Sequence, residues 1–491
     1  MGGALHPRLI PIFYRTFTVR IPSFDASSDS VSILIGMKIN KLHHKYAVLA
    51  VVLSILVGIA QGQTETPKKK DPFKRKSGAE EKAGAGNPEK MLVIGLQLAE
   101  VPSVQVREWD EKGLSGTEWR NNVQALVKEG KAKIVDSIAG AFKSGQRGKI
   151  QSALELRHPT VMQKISDSPN DPEFPKDFET MKLGIIFEAD PVLSAEEDKV
   201  DLNFAFEWSR YLGEASGART ASDRIQAGDV LHPTFSKQKI TTNIVVPIGE
   251  YQVLSRIEPN DKEKRDEFDI VVFGRVDLVV VNPFADQVNL SEVNELRIRG
   301  TWAEVNADEW HKAMHEHSLS QWFDGKAWAS VQALEKSGKA KILASPVVKT
   351  GSGKRSKVEV GEGVNFQESF PAPGEETAED KRESKVSQRI LGHVVEMDTV
   401  LGSTGIVSVN CVSTSNSQHG YSVSYRRQDG NDWVPMVQFP KFYESAVTTQ
   451  VSLSKNADLL FGVGTPPLES GHPDTSRKWV FFIHNDTFDE R

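Results

Sequence analysis

Three histidines lie close together in the segment EWHKAMHEH, at His311, His315 and His317. In a helix, His311 and His315 would share one face at the i, i+4 spacing that lets two imidazoles bind one zinc or other transition-metal ion. The intervening KAM lacks the glutamate that a zinc protease of this type requires. We interpret the segment as a solvated helix or the end of a linker and predict no metal site. The three histidines are the candidates that a metal assay should test.

Two pairs of carboxylates recur along the chain. Glu188 and Asp190 lie in LGIIFEAD, and Glu396 and Asp398 lie in LGHVVEMD. Side chains at i and i+2 of a strand point to the same side, so each pair has the spacing to bind a cation or to act in acid–base chemistry. Apolar residues separate the acids, so we interpret them as the solvent face of a half-buried strand.

No other pattern predicts a reaction. The pairs Thr241-Thr242 and Thr448-Thr449 have no histidine and aspartate arrangement beside them and are simply β-forming residues. GSGKRSK (residues 351–357) lacks the spacing of a phosphate-binding loop, and the sequence has no nucleophile elbow and no dinucleotide fingerprint. We therefore predict that the protein is not an enzyme, that it has no catalytic or cofactor-binding residues, and that it needs no cofactor.

One stretch of the chain occurs twice. Residues 123–134 read VQALVKEGKAKI and residues 331–342 read VQALEKSGKAKI, with ten of twelve positions identical. Each stretch predicts a helix that ends at a glycine, Gly130 or Gly338, because glycine adopts the left-handed conformation at little cost. A strand follows in both copies.

Residues suited to capping precede both of these helices. Ser115 or Thr117 is placed to cap the first, and Asp324 or Gly325 precedes the second.

The repeat extends well beyond these twelve residues. LVIGLQLAEV (92–101) aligns with LRIRGTWAEV (296–305), and FSKQKITTNIVV (235–246) aligns with FYESAVTTQVSL (442–453). Both pairs contain the apolar alternation of half-buried strands. A turn at Gly145 corresponds to a turn at Gly353.

The chain is therefore predicted to contain two tandem domains, residues 91–290 and 291–491, each with one main helix and many antiparallel strands. The predicted fold class is α+β, mainly β. Residues 209–231, 413–432 and the acidic stretch 365–384 are interpreted as insertions between matched strands.

The first ninety residues are predicted to direct export of the chain and not to form part of the folded domains. The segment starting at Met37 has a lysine-rich beginning and an uncharged apolar run at 47–59, which is typical of a secretory signal peptide cut near Ala60 or Gly62. We predict that residues 1–36 are a non-native upstream extension, that 37–62 are the signal peptide, and that the lysine-rich residues 63–90 are a disordered linker.

Composition excludes several classes of protein. The net charge of -6 argues against a nucleic-acid binder, which usually has a strongly basic domain. Cys411 is the only cysteine, so an internal disulfide and a cysteine-based zinc site are both excluded.

Several segments in order resemble the conserved core domain of the bacterial secretins, the outer-membrane channels of type II and type III secretion and of pilus assembly. The segments that carry the resemblance are LRIRGTWAEV (296–305), VQALEKSGKAKILASP (331–346), KVEVGE (357–362), LGIIFEADP (183–191) and KITTNIVVPIGE (239–250). The family segment near the membrane lip is absent from both copies, and a secretin has one core per subunit. We therefore expect two divergent secretin-like domains and no complete pore.

The resemblance implies an exported cell-envelope protein with a structural role in protein secretion or in outer-membrane complexes. It implies a periplasmic or outer-membrane-associated location, with partners that are further copies of the chain or other envelope and secretion-complex proteins. We expect no nucleic-acid partner, and any outer-membrane association would be peripheral. The alternative is a secreted ligand-binding protein or metal-dependent enzyme that uses the β-domains as a scaffold.

Overall fold

The computed structural model describes residues 88–164, 173–216, 228–257, 259, 267–316, 318–320, 326–370 and 386–488. The predicted upstream extension and signal peptide, nearly all of the predicted linker, His317 and the capping candidates Asp324 and Gly325 lie outside these ranges, as does most of the acidic stretch 365–384.

The first copy contains eight strands and two helices among its described residues. In chain order they are β1 (Glu89–Pro102), α1 (Ser103–Glu111), α2 (Gly116–Lys128), β2 (Lys133–Lys143), β3 (Gly148–Lys164), β4 (Glu173–Leu193), β5 (Lys199–Ser216), β6 (Gly228–Pro247), β7 (Tyr251–Ile257) and β8 (Phe268–Val281). Two short 3-10 turns, Ala285–Gln287 and Leu290–Glu292, lead to the second copy.

The second copy repeats this order, with the counterpart of β2 divided into two strands. Its elements are β9 (Leu296–Asn306), α3 (Ala307–Glu316), α4 (Lys326–Lys336), β10 (Ala340–Ala344), β11 (Val347–Thr350), β12 (Lys354–Gln367), β13 (Val386–Leu401), β14 (Val407–Asp429), β15 (Asp432–Leu453), β16 (Asp458–Gly464) and β17 (Arg477–Asn485). The predicted α+β, mainly β class is confirmed.

The strands form two antiparallel sheets, and both copies contribute to each. The first sheet, called sheet A here, has the order β10-β9-β17-β16-β2-β1-β8-β7, with β11 also paired to β9. The second, called sheet B, has the order β12-β13-β14-β15-β3-β4-β5-β6. Each copy therefore supplies one half of each sheet, and the two sheets continue without a break across the boundary between the copies.

The two sheets pack face to face around one apolar core. Phe142 of sheet A meets Phe187 of sheet B edge to face, with ring centroids 6.2 Å apart. The Trp302 indole of sheet A donates a hydrogen bond of 3.0 Å to the Ser413 hydroxyl of sheet B. The helices lie on the other face of sheet A, where the α2 residues Trp119 and Val123 are buried against β1 and β8. The layers are thus helices, sheet A and sheet B.

The main helix of the first copy begins and ends where the sequence predicts. Ser115 caps α2: its hydroxyl accepts from the Glu118 amide, and the Glu118 carboxylate accepts in return from the Ser115 amide at 2.7 Å. Gly130 follows the helix with φ of 70°, and Gly338 follows α4 with φ of 74°. The sequence did not predict α1, which directly follows β1. For the segment EWHKAMHEH it gave a solvated helix or the end of a linker; most of this segment forms α3, which directly follows β9, and Trp310 within it is buried.

The described residues of two segments interpreted as insertions are mostly strand. Residues 209–216 extend β5, and residues 413–429 belong to β14. The first residues of β6 pair with the later part of β14, where Asp229 lies opposite Arg426. The buried Asp229 carboxylate accepts from Arg426 Nε at 2.8 Å. The two extensions correspond, because β5 and β14 occupy the same place in the strand order of the two copies.

We predict that Ser115→Ala destabilises the protein by about 1 kcal/mol, because the Glu118 amide would lose its capping acceptor. Urea unfolding of the full chain would measure this change. Ser115→Asp keeps an acceptor at the same position and should leave the stability nearly unchanged. An equal loss in both variants would contradict the capping explanation.

Candidate functional site

The feature that distinguishes this chain is the joint between its two copies, defined as the pairing of β15 with β3 and of β16 with β2. In sheet B the register runs from Phe442 opposite Glu155 to Thr448 opposite Lys149. In sheet A the contact is shorter, and Gly462 lies opposite Gly140. Both pairings join an edge of the second copy to the opposite edge of the first.

Four charged side chains bridge the joint in sheet B. Glu155 and Lys182 belong to the first copy, and Glu444 and Arg389 to the second. Arg389 pairs with both carboxylates, at 3.1 Å from Glu444, and Lys182 lies 3.2 Å from Glu155 and 3.4 Å from Glu444. Burial raises the pKa of Glu155, but its hydrogen bond and attraction to Arg389, together with Lys182, lower that pKa more. The carboxylate therefore remains ionised and holds the two copies together.

Small side chains let the two sheets approach each other at the joint. The Ser152 and Ser445 hydroxyls lie 3.2 Å apart across the β3–β15 pairing. Gly464, at the end of β16, lies above them: a Cβ atom there would fall only 2.7 Å from the Ser445 hydroxyl oxygen. Any larger residue at Gly464 would push the two sheets apart where the copies meet.

A fully buried lysine connects the copies in sheet A. Lys478 of β17 has no exposed surface and forms an ion pair with Asp136 of β2. Its ammonium also donates to the Ser137 carbonyl oxygen and to the Thr465 hydroxyl, both at 2.8 Å. Burial lowers the pKa of Lys478, and Asp136 offsets this only in part. All three donor positions of the ammonium thus have acceptors, as a buried charge requires.

His311 belongs to the same buried region. Its Nε2 lies 3.1 Å from the Ser137 hydroxyl, and the neighbouring Trp310 indole donates to that hydroxyl at 3.1 Å. Burial, and then the positive charges of Lys478 and Arg120, lower the pKa of His311 to about 3. A neutral imidazole is therefore expected at physiological pH, placed between the two copies.

The histidine cluster is only partly described. His311 and His315 both lie in α3, at the helical spacing that the sequence suggested. Among residues 88–488, less the gaps given above, no group of three or more His, Cys, Asp or Glu side chains is arranged to hold a metal ion. The absence of a metal site stays a prediction.

The repeated carboxylates bind a repeated arginine. Arg147 pairs with Glu188 in the first copy. In the second copy Arg355 lies 3.3 Å from Glu396 and 3.0 Å from Asp398. The hydrogen bond from Arg355 lowers the pKa of Asp398. Sequence analysis found the acids but not their partner, although the two arginines also correspond between the copies.

The remaining candidates are parts of the β-structure. Thr449 is buried, and its hydroxyl donates to the Ala141 carbonyl oxygen at 3.0 Å, which links the two sheets. The Cys411 thiol is buried, and this burial raises its pKa. Within the described residues, no helix combines the length and the apolar character needed to cross a membrane.

We predict that Lys478→Met destabilises the protein by about 3–5 kcal/mol, because Asp136 would remain as a buried charge without its partner. Urea unfolding would measure the loss. The double variant Asp136→Asn/Lys478→Met should regain most of it. Lys339→Met, which removes an exposed ion pair with Glu309, is the matched control and should cost much less. If Lys478→Met alone is as stable as the control Lys339→Met, the assigned role of Lys478 is contradicted.

We predict that His311 makes stability depend on pH below its ordinary pKa of 6.5. Between pH 6.5 and pH 3 the unfolded chain binds a proton at this residue and the folded chain does not, so stability falls as pH falls. From pH 6.5 to pH 5 the loss amounts to about 2 kcal/mol. Urea unfolding across this range should show a shallower slope for His311→Gln, by about one proton. An unchanged slope would contradict the depressed pKa.

Comparison with known proteins assigns no family. No family model and no curated protein matches the sequence. Two solved structures that match are secretins. The Vibrio cholerae type IV competence pilus secretin PilQ is 8% identical over 81% of this chain and 60% of its own chain, with a TM-score of 0.20. The type II secretion system secretin GspD of E. coli K12 is 10% identical over 48% of this chain and 54% of its own chain, with a TM-score of 0.18. This chain thus spans less than two thirds of either secretin, and at these TM-scores the matches carry no argument about its fold or function.

Proposed function

We propose that this protein is an exported, non-enzymatic component of the cell envelope. Its two secretin-like copies would act as one structural unit in a protein-secretion or outer-membrane complex, without forming a complete pore. The observation that carries the proposal is the joint, in which two copies of one domain lie side by side and share both sheets. An arrangement of this kind is suited to lateral assembly.

Two further points support this function. Secretin-like motifs occur in the family order in the sequence, and the signal-like segment before them is typical of an exported chain. The buried pair Lys478 with Asp136 and the half-buried pair Glu155 with Arg389 both join the two copies. Their positions support a structural role for the joint.

We predict that cell fractionation will recover the protein in the periplasm or with the outer membrane, as part of a large complex when sized under native conditions. N-terminal sequencing should show a mature chain that begins just after Ala60 or Gly62. A full-length chain in the cytoplasm would contradict export.

The same preparation distinguishes the alternative function. A soluble periplasmic monomer that retains a stoichiometric transition metal, and loses it in the His315→Ala variant, would contradict the structural role and support a metal-dependent protein. His232→Ala, at an exposed histidine in β6 outside the cluster, is the matched control for that experiment.

A further inference from the structure

Arg120 is a buried cation with an unused hydrogen-bonding edge. It lies on the side of α2 that is buried against sheet A, and none of its surface is exposed. Its Nη1 donates to the Gln124 side chain at 2.8 Å, and its guanidinium carbon lies 5.6 Å from the centre of the Tyr251 ring. Within the described part of the chain, Nε and Nη2 donate to no acceptor, so no carboxylate is hydrogen-bonded to this edge of the guanidinium.

The other buried charges of the region form pairs among themselves. Arg275, whose guanidinium carbon also lies over the Tyr251 ring, donates from Nε to the two Asp277 carboxylate oxygens at 3.0 and 3.1 Å. Asp136 pairs with Lys478. These pairs leave the positive charge of Arg120 unbalanced, and a buried charge without a partner destabilises a fold strongly.

Gln97 is a second buried side chain with unused polar atoms. It lies on β1 and is 1% exposed, and neither Oε1 nor Nε2 has a hydrogen-bond partner among the residues that the structure describes. It lies opposite Ser137 of β2 and so shares a face of sheet A with that residue, whose hydroxyl contacts His311 of α3.

Arg120 and Gln97 face the same buried region. The charge of Arg120 contributes to lowering the pKa of His311, which lies over β2, and its guanidinium contacts Tyr251 of β7. β1, which carries Gln97, lies between β2 and β7 in sheet A. The unused atoms of both side chains therefore lie in one layer, between the helices and sheet A.

The second copy has partners at the equivalent positions. In the alignment of the copies, Thr301 corresponds to Gln97 and Trp328 to Arg120. The Thr301 hydroxyl lies 3.1 Å from His484 Nε2, and the Trp328 ring packs edge to face against the His484 ring, with centroids 4.7 Å apart. The buried cation with unused donors is thus a difference of the first copy from the second.

We propose that the Nε–Nη2 edge of Arg120 binds a small, singly charged, planar oxyanion, of the carboxylate or hydrogencarbonate type. The two N–H groups of this edge are parallel and match two oxygens of such an anion. One negative charge balances the guanidinium, and the Gln97 amide supplies a further donor. The full burial of Arg120 requires the anion to be small. The site goes beyond the proposed assembly role, which does not require a ligand.

Equilibrium dialysis of the purified full chain against radiolabelled formate at neutral pH tests the site. We expect one formate ion per chain. Arg120→Met should abolish the binding, and Arg120→Lys should weaken it by about tenfold or more, because lysine keeps the charge but lacks the two-pronged edge. Arg355→Met, which removes an exposed arginine, is the matched control and should bind as the wild type does.

Competition identifies the anion. Acetate and hydrogencarbonate should each displace formate, and the stronger competitor shows which of the two types the site prefers. Chloride at the same ionic strength should compete about tenfold less well, because it has no second oxygen for the edge. Chloride that competes as well as acetate would overturn the match to two oxygens, and with it the proposal.

Thermal unfolding gives an independent readout. Above the dissociation constant, each tenfold rise in formate should raise the melting temperature of the wild type and of Arg355→Met by about 1–2 °C, and that of Arg120→Met not at all. Without formate, Arg120→Met should be at least as stable as the wild type, because methionine brings no buried charge.

The decisive comparison is between the wild type and Arg120→Lys, which remains available if Arg120→Met does not fold. No formate bound by the wild type would overturn the proposal and would mean that water satisfies the buried groups. Equal binding by the wild type and Arg120→Lys would also overturn it, since the edge of the guanidinium would then play no part.

Discussion

The structure depends on the pairing of strand edges. A β-sheet that ends in solvent leaves backbone hydrogen-bonding groups unpaired, and a protein must cover or protect such edges. Here β15 and β16 of the second copy cover the edges of β3 and β2 in the first. This joint connects the strands of the two copies into two long sheets. The apolar core between these sheets therefore crosses the boundary between the copies. By repeating the domain, the chain covers edges that a single copy would leave unpaired.

Buried charge makes the joint specific. An ion pair as buried as Lys478 with Asp136 adds little net stability, because removing both charges from water costs about as much as their attraction returns. It does impose one alignment, since any slip between β2 and the second copy would leave an unpaired charge in the core. The half-buried cluster of Glu155, Glu444, Lys182 and Arg389 adds a weaker constraint of this kind in sheet B, because its charges are partly exposed to solvent. The two charge networks thus explain why the copies meet in a single register.

The joint also links the fold to the proposed role. Phe442 and Ser152 are buried in the joint, and Phe235 and Val360, the residues that correspond to them in the other copy, are exposed. The structural role proposed above therefore rests on the joint, where charged groups pair across the boundary between the copies.

The sequence by itself determined the local elements. Ser115 and Gly130 mark the limits of α2 because capping and left-handed turns depend on single residue types, and the strands followed from apolar alternation. Only the tertiary structure decided how the elements combine. Neither the partner of Asp136, 342 residues away in the chain, nor the burial of His311 beside Ser137 has a signature in local spacing. The order of strands in a sheet follows from contacts between distant segments, so the repeat predicted two tandem domains but not the two sheets that both copies share.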